Sequence, residues 1–175
     1  MKTSKKILLF VAGFIIVLLI LYVGVLHKTV QTIRSTDESK HHRKTLSVNN
    51  FEKLDLSSRL IVRIKQGKDC EVEIITDKNS LLKPSVENIN GTLHCTIDST
   101  LEKEDTGSIQ LRITMPLIQE IKATQGPEIY LANFQADSLR VILENGCAFT
   151  GKNNTIKQVS FKTSGDNRLQ ITSTF

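Results

Sequence analysis

The chain has 175 residues and only three cysteines, Cys70, Cys95 and Cys147. An odd number cannot all pair within one chain, so a disulfide framework is excluded as the basis of the fold. Cys95, in "LHCTI", has the parity of Leu93 and Ile97 and is expected as a small buried side chain rather than a reactive thiol. Cys70 has the parity of Val72 and Ile74; a Cys70–Cys95 bridge stays open in an oxidising compartment, but the spacing does not demand one. Helical periodicity is also missing: no segment past residue 50 sustains a 3.6-residue apolar period. Histidine is scarce, and His94 is the only one between residues 46 and 175. Its neighbour Cys95 suggests a dyad, yet adjacent residues of a strand point to opposite faces, which excludes it.

A basic surface is lacking where it would count. The formal charge of +5 divides into eight Lys/Arg against two Asp/Glu in residues 1–50, and fifteen against sixteen in residues 51–175. The positive excess therefore flanks the N-terminal segment, where it suits anionic lipid headgroups. A nucleic-acid partner is not expected.

The N-terminal segment itself lacks charge. "ILLFVAGFIIVLLILYVGVL", Ile7–Leu26, carries none over twenty residues. As a helix rising ~1.5 Å per residue it would span about 30 Å, the thickness of a bilayer's hydrocarbon core. It exceeds the ~7–15 apolar residues of a cleaved signal, and no small-x-small site follows it. No cysteine stands near it to take a lipid. An uncleaved anchor to the inner membrane is expected. Lys2, Lys5 and Lys6 crowd the short side, which puts the N-terminus inside and the rest in the periplasm or extracytoplasmic space. The reading is then a cytoplasmic tail over 1–6, an anchor over 7–26, a polar linker over 27–45 and a folded domain over 46–175. His41 and His42 fall in that linker with no third ligand in a defined place, so no metal site is assigned to them.

From Leu46 onward the pattern is β. "FEKLDL", "LIVRIKQG", "CEVEIIT", "GTLHCTI" and "SIQLRITMP" alternate with period two between Gly, Asn, Asp, Ser and Pro punctuation. Past residue 110 a second period appears. Ile121, Val141 and Phe161 are spaced by twenty, as are Ala123, Leu143 and Thr163, then Ile129, Phe149 and Leu169, then Leu131, Gly151 and Ile171; Leu139 and Val159 add a partial column. Gly126, Gly146 and Gly165 track within one residue of that period. Such a repeat predicts an all-β, parallel β-helix-like solenoid of ~20-residue coils, whose apolar faces are buried only by stacking. The period fades upstream, so the N-terminal half is expected to pair less regularly and to act as a cap. An ordinary antiparallel sandwich is the alternative.

With "NNFEKLDL", "VRIKQGKDCEVEI", "DKNSLL", "NGTLHCTI" and "LRITMPLIQEIKATQG" in this order, residues 46–175 resemble the head GIN domain family of Bacteroidota-type auto-transporter adhesins. The resemblance implies a stack of β coils outside the cytoplasmic membrane, in a family named for a proposed adhesive role. It implies no catalytic or binding residue, because it lies in scaffold positions. Two departures stand out. The family's turns are richer in Ser-Gly, whereas Gly126 follows Gln125 and Gly146 follows Asn145; and the sequence stops at Phe175, where relatives run further.

The outward columns read Glu120/Arg140/Ser160, Lys122/Ile142/Lys162 and Thr124/Glu144/Ser164. A lyase or hydrolase site needs carboxylates or basic groups grouped on one outer face, with neighbouring coils supplying the acid and the base, and no column stacks two acids. Glu120 and Arg140 are expected as a cross-coil ion pair; Glu102, Glu104 and Asp105 as a solvated loop; Asn90-Gly91-Thr92 and Asn153-Asn154-Thr155 as turns rather than glycosylation sites. No catalytic, cofactor or metal residue is assigned. The expected function is a membrane-anchored binding or adhesion-like module without catalysis, contacting a protein or glycan on its face and self-associating through the C-terminal coil "VSFKTSGDNRLQITSTF". The alternatives are a structural or assembly component of the envelope, an accessory sensor subunit, and a glycan-active enzyme.

Overall fold

The computed structural model describes residues 41–77, 80–97 and 108–172. The Ile7–Leu26 segment, its flanks through residue 40 and the acidic cluster around Glu102 lie outside the described residues. Among those described, no helix is long and apolar enough to cross a membrane.

Among the described residues thirteen strands form in chain order: β1 His41–Ser47, β2 Lys53–Ser57, β3 Leu60–Gln66, β4 Glu71–Asp77, β5 Pro84–Ile89, β6 Thr92–Ile97 and β7 Ile109–Met115. Then follow β8 Glu120–Thr124, β9 Glu128–Ala132, β10 Gln135–Glu144, β11 Ala148–Lys152, β12 Thr155–Ser164 and β13 Arg168–Thr172. They make two mixed sheets, one of seven strands in the order β1-β4-β7-β3-β9-β11-β13 and one of six in the order β12-β10-β8-β2-β6-β5. Antiparallel pairing is confined to β1–β4–β7 and β5–β6; the other ladders are parallel. An ordinary antiparallel sandwich is thereby excluded for the described residues, and a purely parallel stack is corrected to a mixed one.

The twenty-residue columns are ladders. Val141 is in register with Ile121 on one side and Phe161 on the other, and Leu143 with Ala123 and Thr163. In the other sheet Phe149 lies between Ile129 and Leu169, and Gly151 between Leu131 and Ile171. Alternation turns these positions into the space between the sheets, where Ile121, Val141, Leu143 and Ile129 are buried. Left-handed backbone makes the turns: Gln125 and Gly126, Asn145 and Gly146, and Gly165 all have positive φ. At Gly165 a Cβ would sit 3.1 Å from the Asn145 Oδ1 of the preceding turn, so the position needs glycine on both counts. Asn90 and Gly91 form the two-residue β5–β6 hairpin turn and Asn153 the bend before β12, all with positive φ.

The N-terminal half departs from a simple cap. β2 and β3 lie inside the stack, β2 between β6 and β8 and β3 between β7 and β9. Leu54 thus joins the ladder Leu93–Leu54–Ile121–Val141–Phe161, and Val62 the ladder Leu111–Val62–Ile129–Phe149–Leu169. The strands β4, β1 and β5 close that end. β5 opens on Pro84, which costs no ladder bond at the start of an edge strand.

β1 begins at His41, so residues 41–45 of the expected linker belong to the seven-stranded sheet, with His41 in register with Asp77 and its Nδ1 2.8 Å from Asp77 Oδ1. An edge strand exposed along most of its length has no apolar alternation to betray it.

No disulfide forms among the described residues: Cys70, Cys95 and Cys147 are free and buried. Cys95 belongs to the inner ladder beside Leu56, and desolvation, with Asp55 nearby, pushes its thiol up to about 12. It stays a protonated, inert filler.

Candidate functional site

The inner faces are occupied by core, which leaves two outer faces. On the six-stranded sheet the expected columns are in register, and Arg140 Nη1 lies 3.8 Å from Glu120 Oε2. His94 pairs with Asp55 on β2, Nδ1 to Oδ2 at 3.3 Å, and turns away from buried Cys95. Among the described residues no group of three or more His, Cys, Asp and Glu side chains could hold a metal ion.

The seven-stranded sheet carries a groove of about 370 Å³ on its outer face, lined chiefly by Arg63, Lys65, Glu71, Glu73, Arg112 and Tyr130. Registers explain how it is assembled. Thr45, Glu73, Arg112, Arg63, Tyr130, Thr150 and Gln170 form one continuous row across β1, β4, β7, β3, β9, β11 and β13. The next row reads Glu71, Thr114, Lys65, Ala132 and Lys152. In both rows alternation sends these side chains outward while Val62, Ile64, Leu111 and Ile113 go to the core.

The electrostatics are uneven along the first row. Glu73 receives two arginines, Arg112 Nη1 at 3.3 Å and Arg43 Nη1 at 3.7 Å. Arg63 instead places its guanidinium over the Tyr130 ring, 5.0 Å from the centroid. The Tyr130 hydroxyl donates to Glu128 Oε2 at 3.1 Å, and that acceptor holds the phenol above its usual range. This is a polar surface with charged forks, a hydroxyl and one aromatic ring.

None of these groove residues was singled out from the sequence. Their outward parity in "LIVRIKQG", "SIQLRITMP" and "EIYL" was readable. Their adjacency was not, because Arg63 meets Arg112 only through the β3–β7 pairing.

A family described as "Putative auto-transporter adhesin, head GIN domain" matches residues 50–175. A crystal structure of a "putative adhesin" from Bacteroides fragilis is similar in fold, with a TM-score of 0.63 and 17% identity. The similarity covers 74% of this chain and 61% of that one, so this chain spans under two thirds of its length. A second, titled "Putative lipid binding protein", from Parabacteroides distasonis, gives a TM-score of 0.52 at 8% identity, over 77% of this chain and 67% of that one. No curated protein matches. The family match runs from just after β1 through β13, more than half of the sequence, and the chain belongs to the head GIN domain family.

Proposed function

We propose that this protein is a non-catalytic contact module of the cell envelope. A β-solenoid head is held outside the inner membrane by Ile7–Leu26, and its role is to present a rigid polar surface to a partner. The observation that carries this reading is the groove on the seven-stranded sheet. Its floor belongs to strands paired on both sides, so the side chains above it are held in fixed rows. Membership of a family named for adhesion supports it. The test uses full-length chain in membrane vesicles, probed with envelope and dietary glycans for both retention and turnover. Retention without product release, lost on protease shaving of the outer face of spheroplasts, is expected. Turnover that tracks the pure protein would make it an enzyme instead.

A separate observation favours self-association. Among the described residues β12 and β13 pair on one side only, and Leu169 of β13 is 44% exposed. Two open edges at the same end suit a second copy better than a single foreign strand. A two-fold axis perpendicular to the sheets sets β12 antiparallel to its counterpart and β13 to its own, closing both edges at once. Light scattering of the full chain in detergent should give a dimer that Leu169→Lys converts to monomer. A strictly monomeric wild type at high concentration, with no crosslinked pair, would reject this.

A further inference from the structure

The groove's charges are mismatched in a way that specifies a ligand. Arg63 and Arg112 occupy paired positions on adjacent parallel strands, which lie ~4.8 Å apart. Like charges placed side by side on a sheet are destabilising unless an anion is shared between them. Glu73 serves Arg112 and Arg43, from the far side of Arg112. Among the described residues Arg63 and Lys65, neighbours on the outward side of β3, have no ion-pair partner. In its row Lys65 is flanked by the short side chains of Thr114 and Ala132, which leaves open space around its ammonium group.

We propose that this groove binds a carboxylate-bearing sugar, a uronate unit of an acidic polysaccharide, with the carboxylate on Arg63 and Lys65. This deepens the contact-module reading and rests on it. Glu71 and Glu73 decide the class of anion. They are acceptors beside the cations, so the ligand must bring hydroxyl donors as well as negative charge. A sulfate brings acceptors alone, and a phosphate brings at most a hydroxyl or two with greater charge, so either meets repulsion there that a hydroxyl-rich ring offsets. A uronate ring carries one carboxylate and several hydroxyls. An acidic peptide fits less well, because β3 is paired on both sides and offers no backbone edge for strand addition. The volume, about 370 Å³, lies at the small end of the ~300–1,000 Å³ range of ligand sites, suited to a short saccharide segment.

The test is calorimetric titration of the full chain in neutral detergent with oligogalacturonate, its methyl ester, and oligoglutamate. Binding of the oligogalacturonate alone is expected, weakened by salt. Arg63→Gln should weaken it about tenfold, the scale of one charge-assisted contact, with an unchanged melting curve. Arg140→Gln on the opposite sheet should leave it unaltered. Equal binding of the methyl ester, or of oligoglutamate, overturns the uronate assignment while leaving the contact surface standing. Failure of a folded chain to bind any member of the wider glycan panel overturns both.

Discussion

Ile121→Ala should destabilise the protein by about 2–5 kcal/mol, the usual cost of emptying a buried aliphatic site. Ile121 is fully buried, and its ladder neighbours are Leu54 and Val141. The cavity cannot collapse easily, since backbone ladders on both sides of β8 hold the strand spacing that would have to shrink. Truncation to Ala at Leu169, in the terminal ladder position and 44% exposed in one protomer, should cost less than about 0.5 kcal/mol in chain diluted to the monomer. Urea unfolding midpoints at unchanged slope would measure both. The contrast tests which rungs are interior. A double-mutant cycle of Leu54→Ala with Ile121→Ala adds the more demanding check. Direct contact predicts a coupling of roughly 0.5–3 kcal/mol, whereas strictly additive effects would mean that β2 does not lie against β8.

Asn154→Ala should cost about 2–4 kcal/mol although it removes few atoms. Its side chain is 4% exposed, accepts from the Phe134 N–H at 2.9 Å through Oδ1, and donates to the Leu131 carbonyl at 3.0 Å through Nδ2. The amide thus clips one repeat to the preceding one at a corner where the strand ladder is interrupted. Truncation orphans a donor and an acceptor away from water, each penalised by roughly 1–3 kcal/mol. Asn167 makes comparable contacts at the other corner, between β12 and β13, accepting from the Cys147 N–H at 2.9 Å and donating to the Leu143 carbonyl at 3.2 Å. It is less enclosed, so water can replace part of what Asn167→Ala removes, and the loss should be no more than half that at Asn154. Thermal melts of the two variants would show the order. Equal and small shifts would mean that the corner amides are solvated in solution.

Asn154 also illustrates how a local signal can be true and insufficient. As part of Asn153-Asn154-Thr155 it reads as a turn, and Asn153 does take positive φ there. Nothing in the tripeptide says that the second asparagine folds inward, because Phe134 and Leu131, which it bonds, are twenty and twenty-three residues upstream. Glu120 and Arg140 were the easier case. Twenty residues separate them along a repeat whose period is itself twenty, so their pairing follows from the repeat.

The strand content, the parallel register of the last three coils and the inward placement of Ile121, Val141 and Phe149 could all be read along the chain. Consecutive coils there are also neighbours in space, so one period records both. The insertion of β2 and β3 between later rungs, the strand character of 41–45 and the groove came from the fold alone. Between β3 and its neighbour β9 the chain makes β4 through β8, and no fixed period survives such a detour. Side-chain parity is a local property of extended backbone and can be read from a few residues. Which strand lies beside which is settled by burying the whole apolar set at once, and the Arg63–Arg112 pair exists only after that choice is made.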